Sequence, residues 1–271
     1  QTFLNDPSGF FKGRIGLQVW ASVHPWKGSS FVAGLEGYPV NNISTVNEPL
    51  SIPVRSDVAL YKEQDVALGR LMADQVVKGP HEVYGRISAG ILELMYAGLD
   101  GEVAVPVLDG RFFLGASGSM VKKRDPEDAF RLKEDDVKDW YTTAFGNVRV
   151  NVPEYDAWFD VKAGRFLAGD YGARCSVSKF IKGVTITVWY GATDTSVFDD
   201  DKNQGYHDTG FLVTIPIRLF KGEDPRTSYW YSMSPWTRDV AQDISHYNNL
   251  FDFIGRNTKI HSRRDAGEVG E

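Results

Sequence analysis

A two-residue alternation of apolar and polar side chains recurs along this chain from about residue 15 to residue 219. It is clearest over 184–190, where Val, Ile, Val and Tyr fill alternate positions and two threonines lead the positions between them. Residues 15–23 and 211–219 show the same rhythm. Because successive side chains of a strand point to opposite faces, this period predicts a sheet with one apolar face and one wetter face. Both a soluble β-sandwich and a membrane β-barrel satisfy that pattern.

Composition does not decide between the two. The mean hydropathy is −0.30, and no segment offers the roughly 20 apolar residues that a membrane-spanning helix needs. Membrane strands escape this criterion because half of their side chains are polar. The tryptophans are consistent with interfacial girdles or with a sandwich core. They are Trp20, Trp26, Trp140, Trp158, Trp189, Trp230 and Trp236.

Charge and cysteine content exclude several functional classes. The net charge is −6 without a basic stripe, which argues against a nucleic-acid partner. Cys175 is the single cysteine, so a disulfide framework and a cysteine-based zinc site are excluded. It alternates with Val177 on an apolar face, and we expect a buried, inert thiol.

Turn residues divide the chain into about twelve strands. We predict them near 10–23, 29–40, 54–62, 65–78, 82–95, 98–107, 111–124, 140–152, 156–168, 171–181, 183–194 and 208–219, with a further short strand at 227–234. The predicted fold is all-β, with a barrel or sandwich domain over 1–236. If Gln1 starts on the periplasmic side of a barrel, the long charged connections 125–139 and 195–207 face outward and 41–53 faces the opposite side.

The period changes near the C-terminus. Val240, Ile244, Tyr247, Phe251 and Ile254 recur at helical spacing. This stripe predicts a helix over 237–256, packed in or at the barrel. The polar residues 257–271 are predicted to be disordered.

Two motifs suggest chemistry only weakly. Asp208-Thr209-Gly210 is the triplet of aspartic proteases, but the chemistry needs a second such loop or a homodimer, and Phe211 stands where those enzymes have Ser, Thr or Ala. Asp199, Asp201 and Asn203 have the alternate spacing of a calcium loop, without the usual Gly and Glu positions. We therefore expect no catalytic residues, no cofactor, and a metal site only as a weak calcium candidate.

Charged residues inside the predicted strands are more informative. A charge facing lipid near the bilayer midplane costs roughly 2–4 kcal/mol, so most charges of a membrane barrel must face the lumen or lie at a rim. The lumen or rim candidates are Glu93, Glu102, Asp160, Lys162, Arg165, Asp170, Arg238 and Asp239. Arg165 and Asp170 are a candidate charge pair. A conducting pore and a lumen filled by salt-bridged side chains both remain open.

Several ordered motifs carry a family resemblance. They are DPSGFF at 6–11, VRSD at 54–57, VYGRISAG at 83–90, LELMYAG at 92–98, GEV at 101–103, AGRFLAGDYGA at 163–173, SKF at 178–180, TD at 193–194, Gly210, IP at 215–216 and PWTRD at 235–239. In these motifs the chain resembles the C-terminal barrel region of the YjbH/GfcD-type family of Gram-negative outer-membrane proteins linked to exopolysaccharide production. Lys179 stands where that family is expected to have Arg, and Val240-Ala241 replaces a usual Gly-Gly.

The resemblance implies an outer-membrane β-barrel of about twelve strands, with no enzymatic activity, that acts in secretion or assembly of an exopolysaccharide. Its implied partners are outer-membrane lipid, the polysaccharide and subunits of an export system, and Tyr and Trp rings would guide the sugar chains. The alternatives are a non-conducting scaffold barrel that anchors partner proteins and a soluble carbohydrate-active sandwich.

Overall fold

The computed structural model describes residues 2–6, 9–42, 50–58, 60–62, 66–134, 137–217, 227–235 and 239–256. These residues form thirteen strands and one short α-helix. The strands are β1 Thr2–Asp6, β2 Gly9–Val23, β3 Ser29–Asn41, β4 Val66–Lys78, β5 Tyr84–Ile91, β6 Tyr96–Val107, β7 Phe112–Lys123, β8 Tyr141–Val152, β9 Ala157–Arg165, β10 Tyr171–Ile181, β11 Val184–Thr193, β12 Asp208–Ile217 and β13 Thr227–Pro235. The helix α1 is Leu250–Arg256. The prediction of an antiparallel sheet of about twelve strands with a short C-terminal helix is confirmed.

The twelve strands β2 to β13 form an antiparallel meander in which each strand pairs with its neighbour in the chain. β1 pairs in antiparallel with β2 and in parallel with β13, so the hydrogen-bonded order closes into a barrel. One parallel pair is required because an odd number of strands cannot alternate direction all the way round.

Strand β1 closes the barrel over only a few rows of paired residues. β1 pairs with β2 between Gly9 and Gly13 and with β13 between Met233 and Pro235. Beyond those rows, residues 14–23 of β2 and 227–232 of β13 have no strand partner on that side among the described residues. We call this stretch the seam.

The predicted strand at 54–62 is wrong. The described residues there form bends and a 3-10 turn at Leu60–Lys62, because their backbone N–H groups bind a side chain of the lumen, as shown below. Each strand crosses the barrel once, so with one strand fewer every later connection lies at the opposite end of the barrel from the one predicted. The long connections 42–65, 124–140 and 194–207 therefore emerge at one rim, the long-loop rim, and the prediction that 41–53 faces the opposite side is wrong.

The opposite end, the short-turn rim, carries the brief connections 24–28, 79–83, 108–111, 153–156 and 182–183. At the long-loop rim the connections fold over the barrel mouth and bury an apolar cluster that includes Val54, Phe166, Phe198 and Val240. No helix in the described ranges is long and apolar enough to cross a membrane.

The two faces of the sheet are reversed relative to those of a soluble barrel. One row of directly paired, outward-facing side chains runs through Val105, Leu114, Val148, Val161, Cys175 and Tyr190. Exposed Leu, Ile, Val and aromatic side chains continue this belt around the barrel. Cys175 lies in the belt and is exposed, so the prediction of a buried thiol is wrong: its face is apolar, but that face is the outside.

The helix predicted over 237–256 is present only as α1. Residues 239–249 have no regular helix, because several of their backbone groups bind barrel side chains instead of one another. Residues 236–238 and the predicted disordered tail 257–271 lie outside the described residues.

Candidate functional site in the barrel lumen

An ion cluster lines the inner wall formed by β4, β5 and β6. Because Asp74, Arg86, Asp100 and Glu102 occupy the polar positions of the alternation, they all point inward, and all are buried. Arg86 Nη2 binds Asp100, Arg86 Nη1 lies 3.6 Å from Asp74 Oδ1, and Arg86 Nε lies 3.4 Å from Glu102 Oε2. Buried charges of this kind persist only where they are paired.

A second cluster lines β8 and β9. The guanidinium of Arg149 binds Asp160 at 2.6 and 3.1 Å and Asp252 of α1 at 2.5 Å. The ammonium group of Lys162 forms an ion pair with Asp243. This second cluster therefore connects the barrel wall to residues 239–256, which we call the lumen segment.

The lumen segment runs through the barrel from the long-loop rim to a site near the short-turn rim. At its start, Asp239 is fully buried, and its Oδ1 accepts hydrogen bonds from the N–H groups of Val54, Arg55 and Ser56 at 2.7–2.9 Å. At its end, Phe251 and Ile254 of α1 pack against Phe113. The segment thus fills the half of the lumen next to β5–β8.

Carboxylates of the barrel hold the backbone of this segment. Asp170 accepts from the N–H of Ala241 at 2.9 Å, Glu93 from Ser245 at 2.7 Å, and Glu102 from Leu250 at 2.9 Å. Glu93 also forms an ion pair with Arg55 at 2.5 Å. These contacts replace the i to i−4 hydrogen bonds of a helix over 239–249.

His246 lies at the centre of the segment, between two carboxylates. Its Nδ1 is 3.1 Å from Asp100 Oδ2, and its Nε2 is 3.2 Å from Asp243 Oδ2. Burial lowers the pKa of His246, but attraction to Asp243 and hydrogen bonding to Asp100 outweigh it and raise the pKa to about 9. At neutral pH the imidazole is therefore charged and forms part of the ion network.

Most of the sequence candidates belong to this fixation of the lumen segment. Glu93, Glu102, Asp170 and Asp239 accept backbone N–H groups, whereas Asp160 and Lys162 act through ion pairs. Arg238 lies outside the described residues. Sequence reasoning missed Arg55, Asp243 and His246 because nothing in the strand pattern shows that loop residues enter the lumen.

The predicted charge pair between Arg165 and Asp170 does not form. Arg165 is the last residue of β9, on the outward face, and its buried Nε has no hydrogen-bond partner in the described structure. Asp170 is fully buried and turned toward Ala241. The two side chains diverge because the chain turns at Gly169, with φ of 99°, between them.

The weak calcium candidate is not assembled either. The side chain of Asn203 is buried and donates to Asp200 at 3.0 Å and to Asp239 at 3.3 Å. Asp199 and Asp201 are exposed. Within the described ranges no three His, Cys, Asp or Glu side chains are placed to share a metal ion.

The other half of the lumen is open. A cavity of about 1120 Å³ extends along the inner faces of β2, β3 and β11–β13. On the inner face of β2, Gln18, Trp20 and Ser22 are exposed, whereas the inner faces of β5 and β6 are buried under the lumen segment. Trp20, Trp158, Trp189 and Trp230 alternate with outward apolar residues and so face inward, which excludes them from an outer girdle.

The comparison with known proteins gives a family for this arrangement. The YjbH family model, described as an exopolysaccharide biosynthesis protein, matches residues 1–256. The chain belongs to the YjbH family. The family resemblance inferred from the sequence motifs is thereby confirmed, and the match includes both the barrel and the lumen segment.

A curated YjbH relative is similar over most of this chain. The uncharacterized lipoprotein YjbH of Escherichia coli K12 is 27% identical over 261 residues, which cover 92% of this chain and 36% of the relative. The chain thus spans about a third of that relative's length. No solved structure matches the chain significantly.

Proposed function

We propose that this chain is an outer-membrane β-barrel protein, without catalytic activity of its own, that takes part in secretion or assembly of an exopolysaccharide. The membrane assignment rests on the two faces of the sheet: the apolar face is on the outside of the barrel, and the ion clusters are on the inside. An exposed apolar surface of this extent is unfavourable in water. Hydrocarbon removes that penalty, and the pairing of neighbouring strands from β2 to β13 satisfies their backbone groups except along the seam.

The position of outward-facing charges supports the same proposal. Arg165 ends β9, and Lys179 lies two residues before the end of β10. Between the rims, the described outward faces carry Leu, Ile, Val, aromatic and small residues. Long basic side chains at strand ends reach the headgroup level of a bilayer and avoid the penalty of roughly 2–4 kcal/mol at its midplane.

The asymmetry of the connections gives an orientation. Outer-membrane barrels have short periplasmic turns and longer extracellular loops. We therefore place the short-turn rim in the periplasm and the long-loop rim at the cell exterior. In this orientation the packed loops around Asp239 cap the exterior mouth of the barrel.

The polysaccharide part of the proposal depends on the family. Its description names exopolysaccharide biosynthesis, and the name of the Escherichia coli relative, a lipoprotein, agrees with a location in the cell envelope.

Two measurements test the proposal separately. Envelope fractionation of a strain that produces the full protein should leave it in the outer membrane after carbonate and high-salt washes, and release by either wash would contradict the membrane assignment. Deletion of the gene should reduce the exopolysaccharide in the medium, and the intact gene should restore it. Unchanged polysaccharide after deletion would contradict the pathway assignment.

A non-conducting scaffold barrel is the second candidate, and the lumen segment favours it. Residues 239–256 fill one half of the lumen and are fixed by carboxylates from several strands. Conductance in planar bilayers separates the two candidates. A scaffold shows no stable channel, whereas a secretion pore conducts, and soluble neutral polymer that enters the lumen lowers its conductance.

A further inference from the structure

We propose that the open half of the lumen is a binding track for a neutral segment of a polysaccharide chain, formed by Trp189, Trp230 and Trp20. This inference rests on the proposed function and adds the site and the class of ligand.

The strand register places the three indoles at successive levels of the barrel. The pair Phe211–Met233 serves as the reference level. Trp189 pairs with Gly210 and so lies one residue from this level, whereas Trp230 lies three residues from it in the opposite direction. Gly13 shares the level of Met233 through β1, and Trp20 lies seven residues further along β2. The steps are thus four residues each, or roughly 13 Å at 3.3 Å per residue. Only an oligosaccharide, not a single sugar, spans such steps.

Two of the indoles are free. Trp20 is 52% exposed and Trp230 is 36% exposed, although both face inward. In the part of the chain that the structure describes, neither makes a hydrogen bond or a ring contact. They flank the seam from β2 and β13. A free indole in a wet lumen offers an apolar face to the C–H side of a sugar and an N–H donor to its hydroxyl groups.

The third indole is fixed in place. Trp189 Nε1 donates to Asp208 Oδ2 at 2.9 Å, and the guanidinium carbon of Arg174 lies 5.1 Å from its ring centroid. A Cβ at Gly210 would lie 2.3 Å from the ring, so only glycine leaves room for this orientation. A pre-positioned ring loses little entropy on binding.

The polar lining indicates a neutral ligand. Thr214, Ser232 and Ser234 line the same side and make no side-chain hydrogen bond within the described structure. Six carboxylates of the cavity are matched by six Arg and Lys side chains. They are Glu36, Glu93, Glu102, Asp160, Asp208 and Asp243 against Arg14, Arg55, Arg70, Arg149, Lys162 and Arg174. His246 also lines the cavity, and its additional positive charge is paired with Asp100 at 3.1 Å. A lumen without a large surplus of one sign does not select an acidic or a basic polymer.

Intrinsic tryptophan fluorescence of the full protein in detergent micelles tests the track. The probes are maltohexaose, cellohexaose and glucose, together with neutral and acidic fragments of the host's own exopolysaccharide. We expect saturable quenching or a blue shift with at least one neutral oligosaccharide and none with glucose. If no neutral oligosaccharide or neutral fragment binds, or if only acidic fragments bind, the proposal is overturned.

Variants locate the binding. Trp20→Ala and Trp230→Ala should each weaken oligosaccharide binding about fivefold, as expected for loss of one ring contact, without changing the thermal midpoint. Trp26→Ala is the matched control, because Trp26 is 57% exposed but lies in the turn between β2 and β3, outside the cavity. Equal affinities for all four proteins, measured by calorimetry, would overturn the track.

Failure of the track is distinguishable from failure of the proposed function. If the Trp variants bind and export polysaccharide like the wild type while deletion abolishes export, only the track is wrong. If deletion leaves export intact, the proposed function is wrong, whether or not the protein binds oligosaccharides.

Discussion

The Asp239 side chain joins the lumen segment to the loop 50–58 at the barrel mouth. Three successive backbone N–H groups, from Val54 to Ser56, converge on one of its oxygens, and Asn203 donates to the other. Burial raises the pKa of this carboxyl group above its ordinary value. The donors can satisfy the carboxyl oxygens only while the mouth is closed.

Asp239→Ala should therefore lower the free energy of unfolding by about 3 kcal/mol, because it leaves buried N–H groups without an acceptor. Asp239→Asn keeps one acceptor oxygen and should cost about 1 kcal/mol. The temperature at which the folded band disappears in unheated detergent gels reports the effect. Asp199→Ala removes an exposed carboxylate of a neighbouring loop and serves as control. Equal midpoints for Asp239→Ala and the control would refute the role of Asp239.

Ala241 has a left-handed backbone, with φ of 56°, which is strained for a residue with a Cβ. It occupies the second position of the pair in which the family resemblance leads one to expect Gly-Gly. Ala241→Gly should raise the thermal midpoint, corresponding to about 1 kcal/mol, while the N–H bond to Asp170 is kept. Ala192→Gly, in the extended strand β11, is the matched control and should lower stability. A fall in stability for Ala241→Gly as well would contradict the strain.

For single residues, the sequence predicted which polar side chains enter the lumen better than it predicted the contacts that they make there. Glu93, Glu102, Asp160 and Lys162 were identifiable because charges stand out in the predicted strands, and Asp170 and Asp239 because they lie in the motifs that carry the family resemblance. Their partners Arg55, Asp243 and His246 were not, since they lie in loops whose path depends on tertiary packing. The inward tryptophans were identifiable: Trp20 and Trp189 stand at the polar positions of the alternation, and strict use of the period places them inside.

The lumen segment is an element whose stability depends on pH. His246 faces Asp100 and Arg86 on the barrel wall and Asp243 on its own segment, and Lys162 pairs with Asp243. Its pKa is raised from 6.5 to about 9 in the folded protein. A group with a raised folded pKa stabilises the folded state fully below its unfolded pKa, and this contribution is lost as the pH rises through the folded pKa.

The docking of the lumen segment should therefore weaken between about pH 6.5 and pH 9. Thermal midpoints and limited proteolysis within 239–256 measure this directly. His246→Gln should be less stable than the wild type at pH 6 and equal to it near pH 10. Because Gln cannot ionise, the variant should also show a flatter pH profile. A wild-type profile that is level across this window would show that His246 does not hold the segment.

Strands were predictable where alternation is long and bounded by turns, and eleven of the twelve predicted strands are present. The failures have a common physical cause. The residues near 54–62 and 239–249 have apolar periodicities of a strand and a helix, but their backbones bind Asp239, Asp170 and Glu93 instead. The apolar periodicity of a segment shows which of its residues are buried. These two segments are buried against the barrel mouth, so their periodicity does not indicate a strand or a helix. The strand β1 escaped prediction because five residues are too few to establish a period.

For the whole molecule, the central claim concerns the environment of the outer face. Val177 and Ser176 are neighbours in β10, with Val177 in the outward belt and Ser176 on the open lumen. Val177→Arg should reduce the folded fraction in lipid vesicles, corresponding to roughly 2–4 kcal/mol, whereas Ser176→Arg should fold normally. Equal folding of both variants would show that the outward face does not meet hydrocarbon.

The orientation could be predicted only in part, because one false strand inverted the side assigned to residues 41–53. With the observed strands, all three long connections share one rim. The open half of the lumen was beyond the sequence, since it depends on which wall the lumen segment packs against.

The most direct measurement uses Cys175, the single cysteine of the chain, in the middle of the outward face of β10. A bimane fluorophore attached to this thiol is reconstituted with the full protein in vesicles. Quenching by lipids brominated in their acyl chains, together with protection from iodide in the buffer, is the predicted result. Ready quenching by iodide, with none by the brominated lipids, would contradict a barrel that spans the membrane.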